Sequence, residues 1–340
     1  MIRPFYFNKQ TSNVIKAIAM FMMIWVHTFQ RNNNFELYQS LFVVNGIPLA
    51  HYISRACNPV GLFMFISGYG LYYSYKTKGN QNLLGQNCKR FVRIFIPYLF
   101  ITTIAMLFNN LLGDYNTNFS FVSVLQNITM WKCTYNEAAW YIMPFLIMSL
   151  FVTTIYKYFD KHEFVCILFS IMVYYIGAKL YGTYFPLIQK HQSFVILMHC
   201  TEFLLPMLIG ASCAKHSKVE ISTLSNSKML SYICIISTVI MFIIGSCYGM
   251  ILYPFYCSLL VLLIANTKLS DVGQNALSFV GKHSMSMWLI HAYFINGYIY
   301  IVKYPLFIFI ILTTLTLFCA YIVDNICLPI TNRILDIIKS

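Results

Sequence analysis

Two ionisable side chains in the first apolar stretch could act together. In Asn13-Val-Ile-Lys16-Ala-Ile-Ala-Met-Phe-Met-Met-Ile-Trp-Val-His27 the lysine and the histidine stand eleven residues apart. On a helix that is about three turns and about 16 Å, with both side chains within about 20° of one face. An imidazole titrates near neutrality and can take a proton from a hydroxyl. His27 is therefore a candidate general base on an interior face, with Lys16 towards the other end of the helix. The plainer alternative is a histidine that only hydrogen-bonds a neighbouring helix.

Three more places put polar chemistry next to apolar runs. Cys88-Lys89-Arg90-Phe-Val-Arg93 precedes Pro97-Tyr98. Arg90 and Arg93 are i,i+3 and share a helix face. Each guanidinium can offer a planar fork to phosphate oxygens, although the cluster would also serve as a membrane anchor. Glu137-Ala-Ala-Trp140-Tyr141 sets a carboxylate before an aromatic pair, which reads as a substrate site or as an interfacial belt. Gly281-Lys-His-Ser284-Met-Ser-Met-Trp-Leu-Ile-His291 places a histidine inside an apolar segment. His291 could orient a substrate or serve structure alone, and Ser284 could cap the helix. His199 and Glu202 are i,i+3 and could pair. The 11 cysteines are scattered through apolar runs without a CxxC. They read as small core residues, and no metal site is expected.

The elements that must position these residues are membrane helices. Of 340 residues 59% are hydrophobic and 10% charged, with mean hydropathy +0.66. A soluble domain carries about 25% charged residues. Charge-free runs of about 17–20 residues match a hydrocarbon core of about 30 Å. Backbone groups in lipid must pair within their own segment, and the alternating segments of a β-barrel are absent, so the chain reads as all-α. It is a polytopic membrane helix bundle of about ten transmembrane helices, near 14–31, 58–75, 92–112, 139–157, 163–181, 199–215, 229–247, 249–266, 284–302 and 305–327. Residues 41–50 are also apolar and could form a re-entrant or interfacial piece. With both termini in the cytoplasm, Arg31, Arg55, Lys132, Lys179, Lys190 and Lys303 fall outside, and the rest of the 23 basic residues fall inside. That is the positive-inside pattern. The net charge of +13 then reflects topology and anionic lipid rather than nucleic acid. The N-terminus reads as a retained first span, since no A-x-A cleavage signal follows it. The whole of 1–340 reads as one membrane-embedded domain without a separate soluble domain. The polar stretches 32–57 and 113–138 lie outside.

Taken in order, these segments resemble the acyltransferase family 3 membrane proteins, bacterial integral-membrane O-acyltransferases. Lys16 to His27 is similar to the family's first-helix pattern of a basic residue, ten positions, then histidine. Phe63-Met-Phe-Ile-Ser67-Gly68-Tyr69 resembles its aromatic segment ending in Ser-Gly-Tyr. Lys89-Arg90-Phe-Val-Arg93 with Pro97-Tyr98 resembles its basic segment. Ala139-Trp140-Tyr141-Ile resembles a Trp-Phe-Leu segment. Pro206 to Gly210 and Ser284 to His291 resemble later landmarks.

The resemblance implies an O-acyltransferase of the cytoplasmic (inner) membrane, with acetyl-CoA or another acyl-CoA as donor substrate and no permanently bound cofactor. The expected acceptor is a hydroxyl of a cell-envelope or lipid-linked glycan. His27 is then the catalytic residue, and Lys16, Lys89, Arg90 and Arg93 bind the donor. Lys16 stands where the family pattern has arginine, which keeps the charge but loses the fork. Ser67, Tyr69, Glu137, Trp140, Tyr141 and His291 belong to the substrate site, and a hydroxyl of Ser67, Tyr69 or Tyr141 could stabilise the oxyanion. Some family members carry an extracytoplasmic hydrolase-like domain. Here the chain ends soon after its last span, so a separate extracytoplasmic transfer partner is an option. The residues alone also fit a flippase for a lipid-linked sugar, or a sensor with a decayed site. An acyltransferase must bind CoA and a flippase need not.

Overall fold

The computed structural model describes residues 8–30, 35–78, 83–112, 120–217, 253–266, 269–295 and 302–338, with single positions between 232 and 244. The described residues are almost wholly helical. In chain order they form α1 (Lys9–Phe29), a hairpin of β1 (Val43–Val44) and β2 (Ile47–Pro48), α2 (Leu49–Ala56), α3 (Pro59–Lys78), α4 (Leu83–Leu112) and α5 (Phe121–Ile128). A 3₁₀ turn (Glu137–Tyr141) leads into α6 (Ile142–Lys161), followed by α7 (Glu163–Thr183), α8 (Phe185–Ile188), α9 (Gln192–His216) and α10 (Tyr253–Asn266). α11 (Asp271–Lys282), α12 (Ser284–Phe294) and α13 (Pro305–Ile337) complete the order.

Among the described residues five helices are long and apolar enough to cross a membrane: α1, residues Gly85–Leu107 of α4, α7, α9 and α13. A sixth is counted if the bent pair Glu137–Phe151 and Thr154–Lys161, which turns by 60°, is one broken span rather than a re-entrant loop. With it they match six of the ten expected spans. α3 has 20 residues, but Tyr69, Tyr72, Tyr73, Tyr75, Lys76 and Lys78 lower its apolarity. α10 and the described part of the ninth span, α12, have 14 and 11 residues, short of the ~20 a crossing needs. The expected span 229–247 lies outside the described residues.

Several expected boundaries shift. α4 begins nine residues before the expected 92, so Lys89, Arg90 and Arg93 ride on the helix itself. Its 30 residues reach about 45 Å, longer than the hydrocarbon core, so its first turns can project beyond lipid. α13 runs ten residues past the expected 327. Residues 41–50, read from sequence as a re-entrant or interfacial piece, hold a hairpin and the start of α2. Its two-residue turn, Asn45-Gly46, has φ of 51° and 77°, the positive pair of a type I′ turn.

The described chain divides into two compact units, each assembled from three stretches. The first comprises Met1–Tyr73, Leu205–Ser284 and Phe294–Leu315. Here α1 starts on an Asn8 cap, whose side chain accepts from the Thr11 N–H at 2.7 Å. It packs chiefly against α11. Gln10 Nε2 donates to Asn275 Oδ1 at 3.0 Å, and a Cβ on Gly281 would sit 1.8 Å from the Asn13 carbonyl oxygen. Ile15 and Ala19 join Leu62 and Phe65 of α3 and Cys257 and Val261 of α10 in one core. α3 and α9 cross just as closely. A Cβ on Gly68 would lie 2.0 Å from the Met207 carbonyl oxygen, and one on Gly210 2.1 Å from that of Phe65. Small residues that let backbones approach are a main device of membrane helix packing.

The second unit comprises Ser74–Leu204, Met285–Tyr293 and Thr316–Ser340. In it α6 packs against α4 and α7, and Gly177 of α7 admits the Thr201 side chain of α9.

Candidate active site

In the first unit, His27 sits one turn from the end of α1 and is exposed. This corrects the expected burial: α1 buries Val14, Ile15, Ala17, Ala19, Met20, Met23, Ile24, Thr28 and Phe29, so the histidine lies off the buried stripe. Lys16 is half-buried. Among the described residues it has no ion-pair partner. Ser67 is half-buried on α3, and Tyr69 is 8% exposed. Tyr69 and Gly70 border a cavity of about 260 Å³ with Phe65 and Tyr73, closed on the α1 side by Lys9 and Ser12. Lys9, Ser12 and Lys16 follow one another at three- and four-residue steps, so they share one side of α1. The structure thus brings Tyr69 together with the cationic start of α1, while Gly68 serves the crossing with α9.

In the second unit the cations of α4 have a built orientation. Arg90 Nη1 donates to Asn87 Oδ1 at 2.7 Å. Asn87 Nδ2 in turn donates to the Ser149 carbonyl of α6 at 3.1 Å. Arg90 is half-buried with Tyr156 beside it, and Arg93 is exposed. Pro97 lacks the N–H that would bond the Arg93 carbonyl. Among the described residues the ion pairs are Lys76–Asp160 at 2.6 Å and His199–Glu202 at 3.5 Å, so Lys89, Arg90 and Arg93 are not neutralised by carboxylates.

The same unit locks the Glu137 segment to α12. Trp288 Nε1 donates to the Ala138 carbonyl at 2.7 Å, Asn136 Nδ2 to that of Leu289 at 3.1 Å, and the Tyr293 hydroxyl to that of Tyr135 at 2.6 Å. Tyr141 is buried, its ring 4.0 Å from Trp288 and its hydroxyl on Met285 Sδ at 2.8 Å. These contacts give Tyr141 a packing role. His291 is 1% exposed and its Nδ1 bonds the Trp288 carbonyl. A carbonyl only accepts, so Nδ1 is the donor in this contact. Glu137 stays exposed and Trp140 is half-buried.

Two polar groups in these contacts belong to none of the sequence motifs. Asp324, inside α13, accepts a hydrogen bond from Ser286 Oγ. The rule applied to His27, that an ionisable side chain within a span signals function, would have found it. Asn87 gave no signal, because a lone asparagine on a helix acquires meaning only from its partners.

Among the described residues no group of three or more His, Cys, Asp or Glu could hold a metal ion. Neither the curated proteins nor the solved structures contain a match to the chain. A profile of the acyltransferase domain matches residues 10–324, which takes in every candidate named above. Motif order, apolar helices and that match agree: the chain belongs to the acyltransferase family 3 and is a membrane acyltransferase.

Proposed function

We infer that the enzyme moves an acetyl or similar acyl group from cytoplasmic acyl-CoA to a hydroxyl of a cell-envelope or lipid-linked glycan, at the cytoplasmic membrane. The observation that carries the donor side is the cation set of the second unit, Lys89, Arg90 and Arg93, which has no carboxylate partner among the described residues; Lys16, half-buried in the first unit and likewise without one, is a further candidate. Half-buried cations are costly unless an anion meets them. The phosphates of CoA supply such anions, and the Asn87-held guanidinium of Arg90 suits their geometry.

In this reading His27 takes the proton of the acceptor hydroxyl as its oxygen attacks the thioester carbonyl. The new C–O bond forms, the C–S bond breaks, and the CoA thiolate leaves and recovers a proton. A transient acyl-histidine is the alternative course. An extracytoplasmic partner protein could carry the acyl group onward.

The test is acyl transfer by the purified full chain. His27→Ala should lower turnover by about a hundredfold or more while acetyl-CoA still binds. Near wild-type turnover would remove His27 from the mechanism. Mass spectrometry of surface glycan from cells with and without the protein identifies both the transferred group and its carrier.

A further inference from the structure

Two to three turns into α9, His199 and Glu202 do more than pair with one another. The indole of Trp140 lies with its centroid 4.2 Å from the His199 ring, and Phe203 closes behind both, its ring centroid 5.9 Å from Trp140. From α7, Tyr181 reaches the same imidazole at 6.1 Å, and its hydroxyl accepts from Gln189 Nε2 at 3.0 Å. Phe203 is fully buried, whereas the side chains of His199 and Glu202 are 18% and 35% exposed. The result is an aromatic shelf with an open edge, rimmed by a carboxylate, an imidazole, a phenol and an amide.

Chain order places these groups at one end of the second unit. Trp140 precedes α6, Tyr181 lies in the last turn of α7, and His199 and Glu202 lie two to three turns into α9. The donor-type cations lie towards the other end of α6, where Tyr156 neighbours Arg90 and Asp160 pairs with Lys76. Trp140 and Tyr156 are sixteen residues apart, about 24 Å along a helix before any bend. Glu202 makes the shelf a poor place for phosphate, so it does not duplicate the donor site. Aromatic faces accept the C–H side of a ring, while carboxylate, amide and imidazole exchange hydrogen bonds with hydroxyls. The ligand that combines both is a neutral, polyhydroxylated ring.

The geometry points to Trp140, His199 and Glu202, walled by Tyr181 and Gln189, as the subsite that holds a pyranose ring of the acceptor. This deepens the acceptor half of the proposed function and rests on it. Glu202 and His199 hold hydroxyls, Trp140 supports the ring, and none of them needs to move the acyl group.

The experiment uses the full chain in lipid nanodiscs and saturation-transfer NMR with methyl glucoside, methyl galactoside and methyl N-acetylglucosaminide, with glycerol as the acyclic control. At least one pyranoside should receive saturation on its ring C–H protons, and glycerol should not. Glu202→Gln should weaken that binding by about threefold to tenfold, and Trp140→Ala should abolish it. Thermal midpoints report whether each variant folds. Should Trp140→Ala unfold, the partly exposed Glu202→Gln decides alone. Pyranoside signals unchanged in a folded variant, or absent from the wild type, overturn the subsite. Acetyl-CoA binding is measured on the same samples. Its loss from the wild type would sink the acyl-CoA reading and leave the sugar result to stand or fall by itself.

Discussion

A guanidinium selects its ligand only as well as it is held. Asn87 holds Arg90 from one side and α6 from the other, so the fork is set before any donor arrives. Removing the charge and removing its orientation should therefore differ in size. Arg90→Ala with Arg93→Ala should raise the apparent donor KM by about tenfold or more, as expected for losing two charged hydrogen-bonding groups. Asn87→Ala should raise it by a smaller factor, with acceptor KM unchanged in both. Steady-state kinetics against acetyl-CoA would check this, and an unchanged donor KM in the double variant would return these arginines to membrane anchoring. The Ser286–Asp324 bond gives a second residue-scale test. Ser286→Ala leaves a carboxylate in an apolar helix with one donor fewer, which should cost about 1–3 kcal/mol of stability. Asp324→Asn with Ser286→Ala should lose less than the two single variants together.

Between elements, glycines set how closely helices approach. Gly68 and Gly210 each bring a helix backbone against a carbonyl of the other, with no room for a methyl group. Gly68→Ala and Gly210→Ala should each destabilise the protein by about 1–3 kcal/mol through overpacking. A thermal-unfolding series in detergent would measure it, and full wild-type stability in either variant would contradict the close crossing. This explains which motifs could be read and which could not. The segment ending in Ser67-Gly68-Tyr69 is visible in sequence as a unit, yet its residues divide their work: Gly68 serves the crossing and Tyr69 borders the cavity. Likewise Ala139-Trp140-Tyr141 looks like one feature, but Tyr141 packs on Trp288 while Trp140 meets His199. Spacing along a chain reports the face a residue is on. It does not report what the facing helix offers, and for that reason the cluster around His199 and Glu202 was legible only as a pair.

For the molecule as a whole, the long apolar helices and the all-α class follow from hydropathy, because lipid leaves the backbone no other way to satisfy its polar groups. The turns around them were harder to place, since their polar and short apolar runs fit several local structures. Residues 41–50 became a hairpin because Asn45-Gly46 supplies the turn, a signal that apolar content masked. The inward placement of the termini is a separate matter, resting on charge alone, and cysteine chemistry can test it. Cys88 is exposed at the cationic start of α4. Burial pushes the Cys57 and Cys133 thiols, in stretches expected outside, up from the usual range to about 12. A raised thiol pKa lowers the reactive thiolate fraction at every pH below it, by about a thousandfold for a rise of three units. In sealed right-side-out vesicles at pH 7, a membrane-impermeant maleimide should leave all three unmodified in site-resolved peptides. Opening the vesicles should label Cys88 alone, while Cys57 and Cys133 stay slow until the protein unfolds. Labelling of Cys88 in sealed vesicles would reverse the orientation and place the arginines, with the donor site proposed for them, on the side of the membrane that holds no acyl-CoA.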